Sequence, residues 1–469
     1  MLHEVEATTI DPRRFEAVLG PDDCGGFQRR LERAAERLRG RRLWHLNSTE
    51  EGGGVAEMLH FLLGYLTGAG IDARWVVLHG DERFFQVTKR VHNLLHGRPG
   101  DGDALGDRER AAYERTLRRA FGEVERLVGP GDVVLLHDPQ TAALAPSLKR
   151  LGAAVIWSCH VGVDRPNDLA RAAWGFLRPH VQAADAYVFS RHAYAWEGLD
   201  RERLAVIPPC IDAFAPKNQP LDGEQVAGIL AAAGIVDDGG GDPAFHRLDG
   251  SRARVGRRAE LVQEHPLPAS APIVAQVSRW DRLKDPVGVL EGFVRHVDGG
   301  LGAHLVLAGP AADSVSDDPE GEEVLRQVRD AWAALPAADR DRVHLACLPM
   351  DDMEENGAIV NALQRRADVL VQKSLAEGFG LTVTEAMWKS RPVVASGVGG
   401  IRDQITHKVH GLLVDDPEDL PAFGGAVQTL LEDREEATRM GEQAHRRVRE
   451  DYLAPRRLTQ ELDLVERVA

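Results

Sequence analysis

The chain predicts two doubly wound α/β domains, each a parallel sheet covered by helices, and three observations predict them. Its 469 residues exceed what one ordinary core organises. Short apolar runs alternate with stretches of helical period along most of its length, the pattern of parallel strands joined by crossover helices. That series breaks at 208–220, where Pro208, Pro209, Pro216 and Pro220 read as a linker.

In the first half, strands are expected at 43–46, 73–78, 132–137, 154–158, 186–190 and 204–207, with a helix at 55–66 after the first. The second series places strands at 272–278, 304–308, 343–346, 369–372, 392–395 and 411–414, with a helix beginning near Leu381. The expected division is 1–215 and 216–449, with a final helix, 450–469, packing back on the first domain. Open parallel sheets take ligands at the carboxyl ends of their strands, so two such Rossmann-like domains would face one another across a central cleft. Residues 236–264 carry Asp237-Asp238-Gly239-Gly240-Gly241 and then Arg252, Arg254, Arg257 and Arg258. They read as a surface insertion, flexible unless it packs on a partner and able to serve as a lid. Residues 437–468 read as two amphipathic helices rich in Arg and Glu.

Composition narrows the function. Apolar content of 43% with 28% charged residues is that of a soluble globular protein. A net charge of −16 argues against nucleic acid and against anionic membranes, so an anionic substrate must be held by local groups. Cys24, Cys159, Cys210 and Cys347 lie far apart with no C-x-x-C pair, which speaks against a metal site or a disulfide framework. The amino terminus lacks a signal pattern and no apolar run approaches spanning length, so a cytoplasmic protein is expected. Only seven of the 57 basic residues are lysine, and two of them, Lys284 and Lys389, fall inside the motifs below.

The most informative stretch is 373–400, K-S-L-A-E-G-F-G-L-T-V-T-E-A-M-W-K-S-R-P-V-V-A-S-G-V-G-G. It follows a strand, sets Glu377 and Glu385 eight positions apart, and puts the small turn Gly378-Phe379-Gly380 before a helix opening at Leu381. Free amides and the dipole at that helix start favour an anion. One carboxylate in the turn and one about two turns on could grip different ends of a single polar ligand, and a nucleotide sugar fits. Arg279 and Lys284 in S-R-W-D-R-L-K-D also follow a strand. Two cations there can clamp a diphosphate, whose charge grows as it leaves; the alternative is a solvated loop pairing with Asp281 and Asp285.

Other strand ends carry weaker signals. Gly52-Gly53-Gly54 before the first crossover helix could admit a ligand to the backbone or be a tight turn, and it is not a dinucleotide fingerprint. Gly397-Val398-Gly399-Gly400 reads the same two ways. His160 ends I-W-S-C-H, His137-Asp138-Pro139-Gln140 ends another strand, and Arg191-His192 a third. His160 could donate to a sugar hydroxyl, and His137, Gln140 and Asp164 are acceptor-side candidates. Asp164 and Asn167 could equally cap the helix that follows.

These motifs, with A-G-P and P-V-V-A-S-G-V-G-G-I in order, resemble the retaining nucleotide-sugar glycosyltransferases of family four, which have the GT-B fold. The segments H-L-N-S-T-E-E-G-G-G-V-A-E-M-L-H, F-F-Q-V-T-K-R-V-H-N-L-L-H-G, W-S-C-H and V-I-P-P-C-I-D resemble the trehalose glycosyltransferring synthases within it. The likeness spans roughly 41–452, leaving out the first forty residues and the 236–264 insertion. It implies that Arg279 and Lys284 bind the donor diphosphate, that Glu377 lies by the donor sugar hydroxyls, and that Glu385 binds the ribose. Gly378, Phe379, Gly380 and Leu381 would contact sugar and phosphate through the backbone, Gly53 and Gly54 would cover the diphosphate, and His160 would lie beside the reacting sugar. The implied reaction is transfer of glucose from a nucleoside-diphosphate glucose to free glucose with retention, giving trehalose. Another acceptor, such as a sugar phosphate or an amino sugar, or a catalytically silent nucleotide-sugar sensor, are the alternatives. No cofactor or Mg²⁺ is expected beyond the nucleotide sugar, and the resemblance implies a homodimer.

Overall fold

The computed structural model describes residues 2–50, 53–100, 104–236, 240–311 and 319–469. The chain divides into two compact units, 1–210 with 453–469, and 211–452. Each holds a seven-stranded sheet of the Rossmann type.

In the first unit the strands are β1 (Leu2–Val5), β2 (Leu43–Asn47), β3 (Ala73–Leu78), β4 (Val133–His137), β5 (Ala154–Cys159), β6 (Ala186–Phe189) and β7 (Leu204–Val206). They lie in the order β1-β3-β2-β4-β5-β6-β7, with only β1 antiparallel to its neighbour. From β2 the chain runs outward to β3, then returns to the other side of β2 with β4. The order therefore reverses between β2 and β4, and a crevice at such a reversal is where open sheets bind ligands. The core beneath is aromatic: Trp157 packs 5.0 Å from Trp196, which stacks 6.0 Å from Trp174, and Phe84 stacks on Tyr113. The helix Ala454–Val468 belongs to this unit, and its Arg457 donates to the carbonyls of Ile207 and Pro208.

The second unit holds the hairpin β8 (Ala244–His246) and β9 (Arg252–Arg254), then β10 (Glu260–Val262), β11 (Ile273–Val277), β12 (His304–Pro310), β13 (Val343–Leu348), β14 (Val369–Gln372), β15 (Val393–Ser396) and β16 (Leu412–Val414). The sheet order is β10-β13-β12-β11-β14-β15-β16, and its reversal falls between β11 and β14. The segments that follow those two strands carry Lys284 and Glu377 respectively. Every strand expected from the sequence is present within a residue or two, and the additions are short antiparallel pieces. β1 and β10 have four and three residues, too few to show a period.

Residues 211–219 run into the second unit and are fixed there by side chains. Asn361 donates to the carbonyls of Pro216 and Gln219, both at 2.9 Å, Arg365 to that of Gln219 at 2.9 Å, and Trp388 to that of Asn218 at 3.1 Å. Irregular backbone can be buried here because its carbonyls have these partners.

The insertion departs from expectation. Asp237, Asp238 and Gly239 lie outside the described residues, but 240–264 is built into the unit rather than flexible. Phe245 and Val255 are buried, and β10 pairs with β13 as the sheet's edge. Arg247 bridges Asp352 and Glu354, while the buried Glu355 accepts from the Gly256 and Arg257 amides and from the Arg257 guanidinium. Arg247 and Arg257 have carboxylate partners on the helix Met353–Arg366 and its flank, while Arg252 and Arg254 pair with Asp242 inside the insertion, contacts that the run of basic residues could not reveal. Deleting 240–264 would expose β13 and strand buried Glu355. We expect insoluble protein or a melting temperature lowered by more than about 10 °C; a variant that melts like the parent would contradict this packing.

Candidate active site

In the second unit the groups singled out in the sequence meet at the reversal between β11 and β14. After β11, Asp281 caps the short 3₁₀ turn Arg282–Lys284, accepting from Leu283 N at 2.7 Å. Gln276 of the strand donates to the Lys284 carbonyl at 2.8 Å, and Leu375 N donates to the Leu283 carbonyl at 2.8 Å. These bonds aim Lys284 across the reversal at Glu377, whose Oε2 accepts from Lys284 Nζ. Ser374 Oγ, 3.2 Å away, donates to the same oxygen; Gln372 donates to Ser374 at 2.9 Å, and Thr382 Oγ1 to Gln372 at 3.1 Å. A chain of hydrogen bonds thus runs from the start of the helix Leu381–Trp388 to the Glu377 carboxylate.

The loop pairing weighed for the two cations holds for Arg279 and not for Lys284. Asp281 lies 3.4 Å from Arg279, whose side chain is 57% exposed, and Asp285 pairs with the buried Lys373. Lys284, at 18% exposure, faces Glu377, at 9%. One cation is therefore held in place and the other is open to solvent.

The turn between the carboxylates needs its glycines. Gly380 has φ +88° and caps the helix at Leu381, and a Cβ there would press on Ile401 at 3.2 Å. Gly400 packs so closely on this turn that a Cβ would lie 2.6 Å from Phe379 Cα, and its N–H donates to the Gly378 carbonyl at 3.2 Å. The two glycine turns noted in the sequence therefore brace each other. Gln404 locks the arrangement by donating to the Phe379 carbonyl at 2.6 Å, and Phe379 itself is buried. Glu385, on the next helical turn, is 1% exposed: Lys217 lies 3.3 Å from Oε1 and Gln364 donates to Oε2 at 3.2 Å. Both its oxygens already have partners within the chain.

In the first unit, His137, Asp138 and His160 gather at the ends of β4 and β5. His137 is buried, stacked between His45 of β2 at 5.3 Å and His160 at 5.8 Å. The group that emerges at this strand end is Asp138, held at φ +61°, a conformation L residues seldom adopt. Its Oδ1 accepts from His160 N at 2.8 Å, and burial pushes its carboxyl up to about 7. Burial, with Arg457 adding to it, pushes the His160 imidazole down to about 3, so the ring is neutral at ordinary pH. Ser158 Oγ lies 3.2 Å from His160 Nε2.

Gln140 is half-buried in the one-turn helix after Asp138. Asp164 pairs with Arg191 at 2.5 Å, and Asn167, not Asp164, caps the helix Asp168–Val181, accepting from Ala170 N. Gly53 precedes the helix Gly54–Gly68 in open space, while Gly52 lies outside the described residues. The sequence passed over Asp138, Lys217, Gln364 and Ser374. Asp138 stood inside the H-D-P-Q motif; the other three touch the site only through the fold.

Two seven-stranded Rossmann sheets, with glycine turns bracing each other beside the second reversal, are the architecture of a class: the GT-B glycosyltransferases. The comparisons agree. Residues 45–196 match the family model described as trehalose synthase, N-terminal domain, and 257–447 match glycosyl transferases group 1. The trehalose synthase of Rubrobacter xylanophilus is 36% identical over 92% of each chain, and that of Pyrococcus horikoshii 33% identical over 99% of each. An α,α-trehalose-phosphate synthase (UDP-forming) from Burkholderia vietnamiensis shares the fold at a TM-score of 0.65 and 16% identity, over 91% of this chain and 98% of that one. The chain belongs to the trehalose synthase family of glycosyltransferases.

The neutral histidine carries a measurable consequence. Between the ordinary value of 6.5 and about 3 the unfolded chain binds a proton at His160 that the folded chain does not. Stability at His160 is therefore fully present above pH 6.5 and falls as pH drops through that window. In His160→Gln the loss of melting temperature from pH 7 to pH 5 should be smaller than in the parent. Equal losses would place the histidine in a solvated setting.

Proposed function

We propose that the protein transfers glucose from a nucleoside-diphosphate glucose to free glucose, with retention of anomeric configuration, to form trehalose. The observation that carries this reading is the Lys284–Glu377 pair beside the Gly378–Gly380 turn, in a chain whose relatives are trehalose synthases. A cation, a carboxylate and a helix start at one sheet reversal suit a glycosyl diphosphate: the cation and amides take the phosphates, and the carboxylate takes sugar hydroxyls.

In this reading Lys284 turns from Glu377 to the diphosphate when the donor binds, and the exposed Arg279 closes on it. The freed carboxylate then accepts from the glucosyl hydroxyls. The bond from the anomeric carbon to phosphate oxygen breaks as the acceptor oxygen attacks from the same face, and the acceptor's proton passes to the departing phosphate. Charge grows on the diphosphate during this step, so Lys284 binds the transition state more tightly than the ground state. No side-chain nucleophile is required. Asp138 and the neutral His160 supply an acceptor and a hydrogen-bonding ring for sugar hydroxyls. Glu385, whose carboxylate is already held by Lys217 and Gln364, would meet a ribose with its orientation set in advance.

Proton NMR of reactions with glucose and ADP-, UDP- or GDP-glucose tests the reaction. A non-reducing disaccharide with a single α-anomeric signal is the expected product, and the productive donor names the base. Product from glucose 1-phosphate and glucose without a nucleotide sugar, or from maltose without a donor, would replace this reading; donor use with another acceptor would keep the transferase and change the acceptor. Lys284→Ala should lower kcat by roughly 10²–10³-fold with the fold intact, and near-parental turnover would remove the phosphate role.

A further inference from the structure

Behind His160 lies a buried polar column that the proposed reaction does not use. His45, in the middle of β2, is fully buried, and its Nδ1 lies 3.1 Å from His137 Nε2. The rings of His45, His137 and His160 stack in succession, each pair within 18° of parallel. On its other side, His45 Nε2 faces Glu461 Oε1 of the helix Ala454–Val468 across 3.6 Å, and neither atom has a hydrogen-bond partner among the described residues. The other carboxylate oxygen of Glu461 is 3.6 Å from Arg457, itself buried one turn earlier on the same helix. An ion pair and two uncharged imidazoles inside a Rossmann core are costly to desolvate. Burial holds all three histidines below their ordinary pKa, with Arg457 disfavouring a further positive charge.

The chemistry of these groups sets the protons in one direction. A carboxylate only accepts, so the Glu461 charge 3.6 Å away favours the His45 tautomer with its proton on Nε2. Its Nδ1 is then a bare acceptor, and His137 must donate from Nε2. His137 Nδ1 is left without a proton, on the ring against which His160 is stacked. We propose that Glu461 is a positioning residue: through His45 and His137 it fixes the tautomers of the stack on which His160 rests. This rests on the reading of His160 as a group that addresses a sugar hydroxyl. Catalytic groups are held by such partners in the layer behind them, and a small error in their orientation is expensive in rate.

Glu461→Gln tests it with little change of shape. Arg457 would hold the amide oxygen, so the amide N–H₂ would face His45 Nε2. His45 would then carry its proton on Nδ1 and donate to His137, moving the His137 proton to Nδ1 as well. Nitrogen-15 spectra of the histidine-labelled full chain, assigned with His45→Gln and His137→Gln, should show both rings switching tautomer in Glu461→Gln and keeping it in Glu461→Asp. Steady-state kinetics should show kcat down roughly tenfold in Glu461→Gln with KM for the donor little changed, and largely kept in Glu461→Asp. Unchanged tautomers in Glu461→Gln, or switched tautomers with parental kcat, would overturn the proposal. The tautomer spectra need no substrate, so a parent that fails to make trehalose would count against the proposed reaction and leave this control measurable.

Discussion

Lys284 and Glu377 are brought together by backbone that neither residue could organise alone. One follows β11 and the other β14, the two strands flanking the reversal of the second sheet. Their side chains are largely withdrawn from water, and removing one partner of such a pair leaves a poorly solvated charge. The two loops are thereby tied: the Asp281 cap, Gln276 and the Leu375 amide fix one, and Ser374, Gln372 and Thr382 fix the other. A ligand anion that draws Lys284 away must at the same time offer Glu377 something to accept. A glycosyl diphosphate offers both, phosphate oxygens to the ammonium and hydroxyls to the carboxylate.

In the proposed reaction the first unit meets the sugar with neutral groups. The strand end at its own reversal presents Asp138 and the next strand end His160, and burial drives both toward their uncharged forms. Sugar hydroxyls are uncharged donors and acceptors, so a site for them gains little from net charge and much from fixed orientation. The positive φ at Asp138 and the amide of His160 bonded to its carboxylate supply that orientation. Strain of this kind persists where surrounding structure holds it, and here the Trp157 indole donates to the Asp138 carbonyl at 3.1 Å.

What could be read in the sequence followed from periodicity and from glycine. Parallel strands buried on both faces show as apolar runs, so the strands of both sheets were legible, as were the Gly380 turn and the positions of Lys284 and Glu377 behind their strands. Three things were not. The edge strands β1 and β10 are too short to carry a period. The insertion with its basic run at 252–258 read as flexible surface because the acids that anchor Arg247 and Arg257, namely Asp352, Glu354 and Glu355, lie about a hundred positions further on. Asp138 was overlooked for the histidine before it, since alternation along a strand says that neighbours face opposite ways but not which one is inside. Arg457 and Glu461 left a faint trace, a charged pair on the buried face of an amphipathic helix, whose partners, the Ile207 and Pro208 carbonyls and His45, only the fold supplies.

Glu377→Gln gives the most direct test of the exchange at Lys284. Calorimetric titration with the nucleoside diphosphate of the productive donor should show tighter binding than in the parent, because the lysine no longer has a carboxylate to leave, while transfer to glucose collapses. Weaker or unchanged binding of the diphosphate would contradict the account, since it would mean that Lys284 serves Glu377 alone and never reaches the phosphates.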